Sequence, residues 1–476
     1  MGSKERFYVD IMSMNFKVTG SSHLVVVRFP DETAVKFGVD FGLFQGKDEE
    51  EKNSKVLLGC DEIEFVLVTH NHIDHTGRLP LLCKKGFNGK IYATEDTSKL
   101  MSNALTDSYS ILKKKAKREH RKELYSESDV YKTLNSLCGC KFNETIQLTK
   151  NIKAPFFING HLLGAALILV QISFPGYKDI NLLFTGDYHY KNMFFDVPKL
   201  PGWVYQIPIT IIQESTYGYM DSTEVEKNLE SNIVESLKND KTVLCMVFSL
   251  GRCQEVLYIL KRLQDTGKID PNIPIYLDGK LAIQYTGKYL KGNLNIREDM
   301  KDFLPDNFKY VDKILRNELI DDCSPKVILT TSGMGTYGPA TTYISHYISR
   351  TDCLIQFTGY TAEGTLGREL KDTPYGNAVS VYGILKRKLA RVEYTSELSA
   401  HAKADEMIKF LSCFKKINLI LVNHGEPEVK QKFAERIVNE VDVKDVAILG
   451  CDVLGRNYLY RISPYGLIKS FSTSFE

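Results

Sequence analysis

The chain has 476 residues, 43% of them hydrophobic and 25% charged, with a formal net charge of +2 at pH 7. That length exceeds one ordinary core, so two or three compact units are expected. The composition is that of a globular chain in water, and the balanced charge excludes a whole-molecule pull toward nucleic acid or membrane.

The opening stretch, "MGSKERFYVDIMSMNF", breaks every apolar run with charge and has Arg6 where an N-myristoylation motif needs Ser or Thr, so neither a secretory signal nor a lipid anchor is expected. Residues 8–45 read as β-hairpins: "HLVVVRF", a turn at "PDET", then "AVKFGVDFGLF". Short strands follow at 63–68 and 90–93, with a helix over 79–85 that stops at Gly86. Residues 97–138 read as charged and helical; the basic run from Lys113 to Arg118 is a solvated face. Strands return at "IQL", "APFFI", "ALILVQI" and "NLLFTGD", which suggests stacked sheets flanked by helices. From about residue 222 helices and buried strands alternate ("KTVLCMVFS", "IPIYLDG", "KVILTTSG", "CLIQFTGY"), the pattern of a parallel sheet. A second α/β unit is therefore expected at 218–395, between a first segment, 1–217, and a return segment, 396–476, with a further helix and strand. The most apolar segment, 162–172, is too short to span a bilayer, so no membrane partner is expected. The ten cysteines are scattered without a CxxC pair, Cys138 and Cys140 being the nearest two, and reduced thiols in a cytoplasmic location are the simplest account.

The chemistry concentrates in "VTHNHIDHTGRLP", where His70, His72, Asp74 and His75 share six positions after an apolar run. On a loop following a strand, His70 and His72 can point at one metal and Asp74 and His75 at a second, and imidazole with carboxylate suits zinc at about 2.0–2.2 Å. Four residues cannot close two sites, so partners are expected elsewhere. His161 in "INGHLLGAA", Asp187 in "LLFTGDY" and His424 in "LILVNHGEP" each follow an apolar run, and the Asp187 carboxylate could bridge two metals. Asp40 in "KFGVDFGLF" is expected to orient a ligand histidine through its other ring nitrogen. His23, His120, His189 and His346 lack such context and are read as structural or surface residues.

In this order the motifs resemble the metallo-β-lactamase superfamily and, within it, the β-CASP nucleases, from about residue 20 to 426. The segments that carry the resemblance are "QESTYG", "FSLGRCQE", "PIYLDGKLA", "TTSGMGTYGPA", "FTGYTAEGTLGREL", "LSAHA" and "VNHGEP". The resemblance implies an α/β chain: an αββα metallo-β-lactamase fold with an inserted β-CASP α/β domain. It implies two Zn(2+), with Mn(2+) as a substitute: His70, His72 and His161 on the first, Asp74, His75 and His424 on the second, and Asp187 between them. It places motif acid Glu214 and motif histidine His401, which with Asp74 form the catalytic set, and His424 in the last motif favours RNA over DNA. The implied reaction is hydrolysis of RNA phosphodiesters by a metal-activated hydroxide, leaving 5′-phosphate and 3′-hydroxyl, with His401 as general acid held by Glu214. The implied partners are single-stranded RNA and a second copy of the chain as a homodimer. Ser249 and Arg252 at a helix start, and Ser332, Gly333 and Met334 in "SGMG", suit phosphate oxygens. Two departures stand out: Lys403 where the family often has Asp, with Asp405 two residues on, and Gly279-Lys280 in place of a Ser-Pro pairing. A small-molecule metallohydrolase and a non-catalytic RNA-processing scaffold are the alternatives.

Overall fold

The computed structural model describes residues 6–45, 50–56, 60–225, 227–291, 294–359, 361, 363–454 and 456–473. The chain divides into two compact units, 1–192 with 196–223 and 400–476, and 193–195 with 224–399.

The first unit holds two mixed sheets. The eight-stranded one runs, in spatial order, Gly466–Thr473, Asn457–Ser463, Tyr8–Ser13, Ser22–Arg28, Ala34–Phe41, Phe65–Leu67, Lys90–Thr94 and Leu137–Cys140. The seven-stranded one runs Val446–Ile448, Ile417–Asn423, Ile209–Glu214, Ile180–Phe184, Ala166–Ile172, Ile152–Ile158 and Thr145–Thr149. Their facing sides supply one core, in which Val9, Ile11, Val25 and Val27 meet Phe156, Ile168, Val170 and Leu182. β-Branched and aromatic residues at every second position give each strand that buried face. The outer faces are covered by helices: Leu79–Lys84, Glu95–Arg118 and Glu127–Asn135 on the first sheet, Ala404–Leu411 and Pro427–Glu440 on the second. Four layers, helix–sheet–sheet–helix, result.

The stretch expected to be helical at 97–138 is interrupted. Ser126 and Asp129 form a reciprocal capping box that starts a second helix, and Leu137–Cys140 then leaves it to pair with Lys90–Thr94 as the sheet's edge strand. Cys138 and Cys140 sit on that strand as free thiols. Residues 218–223 stay with the first unit because Asp405 accepts hydrogen bonds from Ser222 N and Oγ, at 2.8 and 2.5 Å.

The second unit is built on a six-stranded sheet in the order Phe308–Tyr310, Ile275–Asp278, Val327–Thr330, Thr242–Met246, Cys353–Phe357 and Arg391–Tyr394. Every pairing in it is parallel, as the alternation of strands and helices requires. A separate hairpin joins Ala378–Val381 to Ile384–Arg387. No helix among the described residues is long and apolar enough to cross a membrane.

Candidate active site

The site lies in the first unit. Strands Ile180–Phe184, Ile209–Glu214 and Ile417–Asn423 run parallel, so their carboxyl ends share one edge of the sheet. That edge presents Asp187, Glu214 and His424. From the other sheet comes the loop after Phe65–Leu67, which carries His70 and His72 and then makes one helical turn, Ile73–Thr76. The His72 carbonyl accepts from the N–H groups of His75 and Thr76, both at 3.0 Å, so that turn carries Asp74 and His75 round to the second group.

Two close backbone approaches fix this geometry. A Cβ on Gly42 would stand 1.5 Å from the Asp74 carbonyl oxygen, so only glycine lets the chain pass there. Gly186 has φ +53 and lies against Thr69, where a Cβ would come within 2.7 Å. Arg78, wholly buried, ties the same region together: it donates to the Gly42 carbonyl, to Lys55 O at 2.8 Å and to Ser22 Oγ at 2.9 Å, with its guanidinium over the rings of Phe41 and Phe44. A buried cation with this many acceptors is strongly placed.

The seven expected ligands gather into two groups that share Asp187: His70, His72, His161 and Asp187, and Asp74, His75, Asp187 and His424. In the first, His72 Nδ1 stands 3.2 Å from His70 Nε2 and 3.1 Å from His161 Nε2, and Asp187 Oδ2 stands 3.6 and 3.7 Å from those two Nε2 atoms. In the second, His75 Nε2 lies 3.1 Å from His424 Nε2 and 3.3 Å from Asp187 Oδ2, while Asp74 Oδ2 lies 3.9 and 3.8 Å from the two imidazoles. A tetrahedral zinc with bonds of about 2.0–2.1 Å separates its ligand atoms by about 3.3 Å, so both groups have the spacing of a zinc shell. Asp187 Oδ1 is buried, makes no hydrogen bond and lies 3.2 Å from His424 Nδ1, so its free lone pairs suit a cation. The donor set fits zinc.

The outward ring nitrogens are fixed by partners. Asp40 Oδ2 meets His75 Nδ1 at 2.8 Å and accepts from Thr69 Oγ1 at 2.7 Å. Thr69 Oγ1 in turn lies 3.1 Å from His70 Nδ1, so one carboxylate orients two rings, the second through a hydroxyl. His161 Nδ1 faces the Ala400 carbonyl at 3.0 Å, and His424 Nδ1 faces Thr216 Oγ1 at 3.1 Å. Thr69, Thr216 and Ala400 had no signal in the sequence. His424 itself sits at φ 49, an uncommon conformation for a side-chain-bearing residue and one that marks functional loops.

Burial, with positive neighbours, holds His70 and His161 well below the ordinary imidazole pKa, and burial lowers His72 to about 4, so these rings are neutral, the form that binds metal. For His75 burial is outweighed by Asp187 and Asp40, which raise it. Beside the groups, His401 Nδ1 meets Glu214 Oε2 at 2.9 Å, and its side chain keeps 19% exposure. Glu214 Oε1 accepts from Tyr188 N at 2.8 Å, which locks the carboxylate. Burial alone would lower His401, but Glu214 and Asp187 raise it above the ordinary value.

His23 is more than a structural bystander. It lies buried beneath the site against Phe184, and burial, with His75 and His424 nearby, lowers it to about 3. The folded protein keeps it neutral while the unfolded chain protonates it below pH 6.5, so the stability it supports is present above 6.5 and lost as pH falls toward 3. His23→Gln is therefore expected to cost less at pH 5 than at pH 7.5, the difference being about 2 kcal/mol in urea unfolding. An equal cost at both pH values would remove the effect.

The expected phosphate contacts lie in the second unit. Ser249 is part-buried in the turn before helix Arg252–Asp265. Arg252 turns inward: 8% exposed, it meets Glu255 Oε2 at 3.1 Å and donates to the Thr358 carbonyl, because buried Glu255 needs a counter-charge. Ser332, Gly333 and Met334 form a turn after Val327–Thr330, and among the described residues the N–H groups of Gly333 and Met334 meet no acceptor. Of the two departures, the first is placed: Lys403 stacks its ammonium 3.3 Å from the centre of the Tyr217 ring, and Asp405 holds Ser222.

Residues 31–190 match the family model of the metallo-beta-lactamase superfamily domain, 253–370 that of the Beta-Casp domain, and 386–448 that of the Zn-dependent metallo-hydrolase RNA specificity domain. The RNase J-like protein of Methanocaldococcus jannaschii is 31% identical over 414 residues, 82% of this chain and 91% of that one. Ribonuclease TTHA0252 of Thermus thermophilus is 28% identical over 426 residues, 87% of this chain and 91% of that one. Transcription termination factor FttA of Methanocaldococcus jannaschii is 31% identical over 404 residues, 80% of this chain and 61% of that one, so the chain spans about three fifths of that relative's length. With all three family domains in order, and a relative 31% identical along 82% of this chain, the chain belongs to the β-CASP family of the metallo-β-lactamase superfamily.

Proposed function

We propose that this chain is a two-zinc ribonuclease that hydrolyses phosphodiester bonds in single-stranded RNA and leaves 5′-phosphate and 3′-hydroxyl ends. The observation that carries the reading is the pair of buried ligand groups sharing Asp187, with the His401–Glu214 pair beside them. His70, His72 and His161 would hold one zinc, Asp74, His75 and His424 the other, and Asp187 both. When bound, the two ions supply Lewis-acid stabilisation of charge on the phosphoryl oxygens and lower the pKa of water toward neutrality. The chain's own residues do the rest. His401, held protonated by Glu214, donates its proton to the departing 3′ oxygen. Asp40 fixes the ring of His75 directly and that of His70 through Thr69, so the nitrogens facing the metals stay bare. The RNase J-like and ribonuclease relatives support RNA as the substrate class.

The test is product mapping on an internally labelled RNA bearing 5′-triphosphate, 5′-monophosphate or 5′-hydroxyl ends, with metal content measured by mass spectrometry. Internal cuts independent of the 5′ end indicate endonuclease action, and mononucleotides released only from a 5′-monophosphate indicate 5′ exonuclease action. No hydrolysis of RNA, with turnover of a lactone or thioester instead, would sink the reading. For Asp40→Asn, zinc affinity is expected to fall about 10- to 100-fold with the fold intact. Unchanged affinity in a chelator competition would remove Asp40 from the site.

A further inference from the structure

In the second unit, Thr242–Met246 and Val327–Thr330 are neighbours at the middle of the parallel sheet. From the first the chain continues two places one way, to Ile275–Asp278; from the second it continues two places the other way, to Cys353–Phe357. Right-handed crossovers in opposite directions put the following helices on opposite faces. The carboxyl ends of these two strands therefore flank a topological switch point, where open parallel sheets take their ligands. The loop there, 331–338, gathers hydrogen-bond donors. Ser332 Oγ accepts from the N–H groups of Thr336 at 3.1 Å and Tyr337 at 3.3 Å, which leaves its own proton to donate outward. The N–H groups of Gly333 and Met334 add two further donors that meet no acceptor among the described residues.

One exposed tyrosine lies on this loop and another beside it. Tyr337 is 51% exposed. Tyr382 is 49% exposed and occupies, with Gly383, the two-residue turn of the hairpin. Both turn residues have positive φ, 53 and 83, positions that Asn-Gly fills without strain and tyrosine does not. Strain of this kind persists where the side chain has a task. The Tyr382 hydroxyl donates to the Gly335 carbonyl, which pins the loop, and leaves the ring face open. Exposed aromatic faces beside phosphate donors are how proteins hold unpaired nucleotides, since every base offers a π-face.

We infer that loop 332–335 with Tyr337 and Tyr382 is an anchoring subsite for single-stranded RNA: the loop takes a phosphate, the two rings take bases, and the Tyr382 hydroxyl keeps the loop in shape. The inference rests on the reading of the chain as acting on RNA, and extends it to how the second unit grips the strand.

The test uses the full zinc-loaded chain and a labelled, hydrolysis-resistant phosphorothioate oligouridylate of about 20 nucleotides, read by fluorescence anisotropy. Tyr337→Leu and Tyr382→Leu are each expected to weaken binding about tenfold, and the pair about a hundredfold. Tyr382→Phe, which keeps the ring and loses the clamp, is expected to fall between wild type and Tyr382→Leu. Affinity for a duplex of equal length, and turnover of bis(p-nitrophenyl) phosphate, which engages only the metal centre, should not change. Unchanged single-strand affinity in Tyr337→Leu, with a wild-type melting curve, would overturn the subsite even if Tyr382→Leu folds poorly. So would equal losses on the duplex, or a changed oligomeric state with RNA affinity intact, which would mark a protein contact. A wild-type protein that binds single strands through these tyrosines yet cleaves no RNA would leave the subsite standing and remove the ribonuclease reading.

Discussion

Replacing Asp187 by asparagine is expected to strip metal from both ligand groups at once and to lower RNA cleavage about a thousandfold or more. Asp187 Oδ2 lies 3.6 Å from His70 Nε2, 3.3 Å from His75 Nε2 and 3.7 Å from His161 Nε2, so a single oxygen serves both groups. Burial would by itself raise its pKa, but His424 and His75 outweigh burial and hold the carboxyl well below the usual carboxylate range. Asparagine keeps the shape and loses the charge, so Asp74 would be left as the one carboxylate among the seven donor residues. His161→Ala is the contrasting case: it belongs to one group only and should leave about one zinc per chain. The measurement is metal stoichiometry after gel filtration, alongside single-turnover cleavage. An Asp187→Asn protein that retains two metals and full activity would show that the two groups do not share this carboxylate.

The histidine-rich loop was readable in the sequence because its donor residues are contiguous, and the distant partners because each ends an apolar run. In a layered α/β unit such runs are strands, and parallel strands bring their carboxyl ends to one edge, which is how Asp187, Glu214 and His424 come together. Contacts made through a carbonyl or a lone hydroxyl leave no such trace. Ala400 O on His161 and Thr69 between Asp40 and His70 exist only once the two sheets are stacked. Arg252 shows what the sequence leaves open. At a helix start beside glycine it reads as a phosphate contact, yet burial of Glu255 on the same helix draws it inward, and no periodicity says which of two adjacent faces will be covered. The break in the helical stretch at 97–138 was written in Ser126 and Asp129, but a capping pair inside a run of charge looks like more charge.

Replacing His401 by alanine is expected to reduce RNA cleavage by about two to four orders of magnitude while both metals stay bound. The geometry allows two roles for this histidine. Its ring packs 4.7 Å from that of His161, close enough for a ligand, and Asp187, Glu214 and His401 do form a third cluster of donor atoms. Its Nδ1, however, is engaged by both Glu214 oxygens, at 2.9 and 3.2 Å, a pairing that suits a ring carrying a proton. Asp40 meets His75 Nδ1 in the same way, so the carboxylate contact fits a ligand as well as an acid, while Glu214 also favours the protonated form that an acid needs. The leaving group decides between them. The 3′ oxygen of RNA departs as a poor leaving group and needs the proton, whereas p-nitrophenolate departs without one. His401→Ala should therefore lose RNA cleavage but keep most of its turnover of bis(p-nitrophenyl) phosphate, and Glu214→Gln should show the same selectivity at smaller size. Equal losses on both substrates, together with a fall in zinc content, would make His401 a ligand instead. Full activity on RNA would take it out of the chemistry.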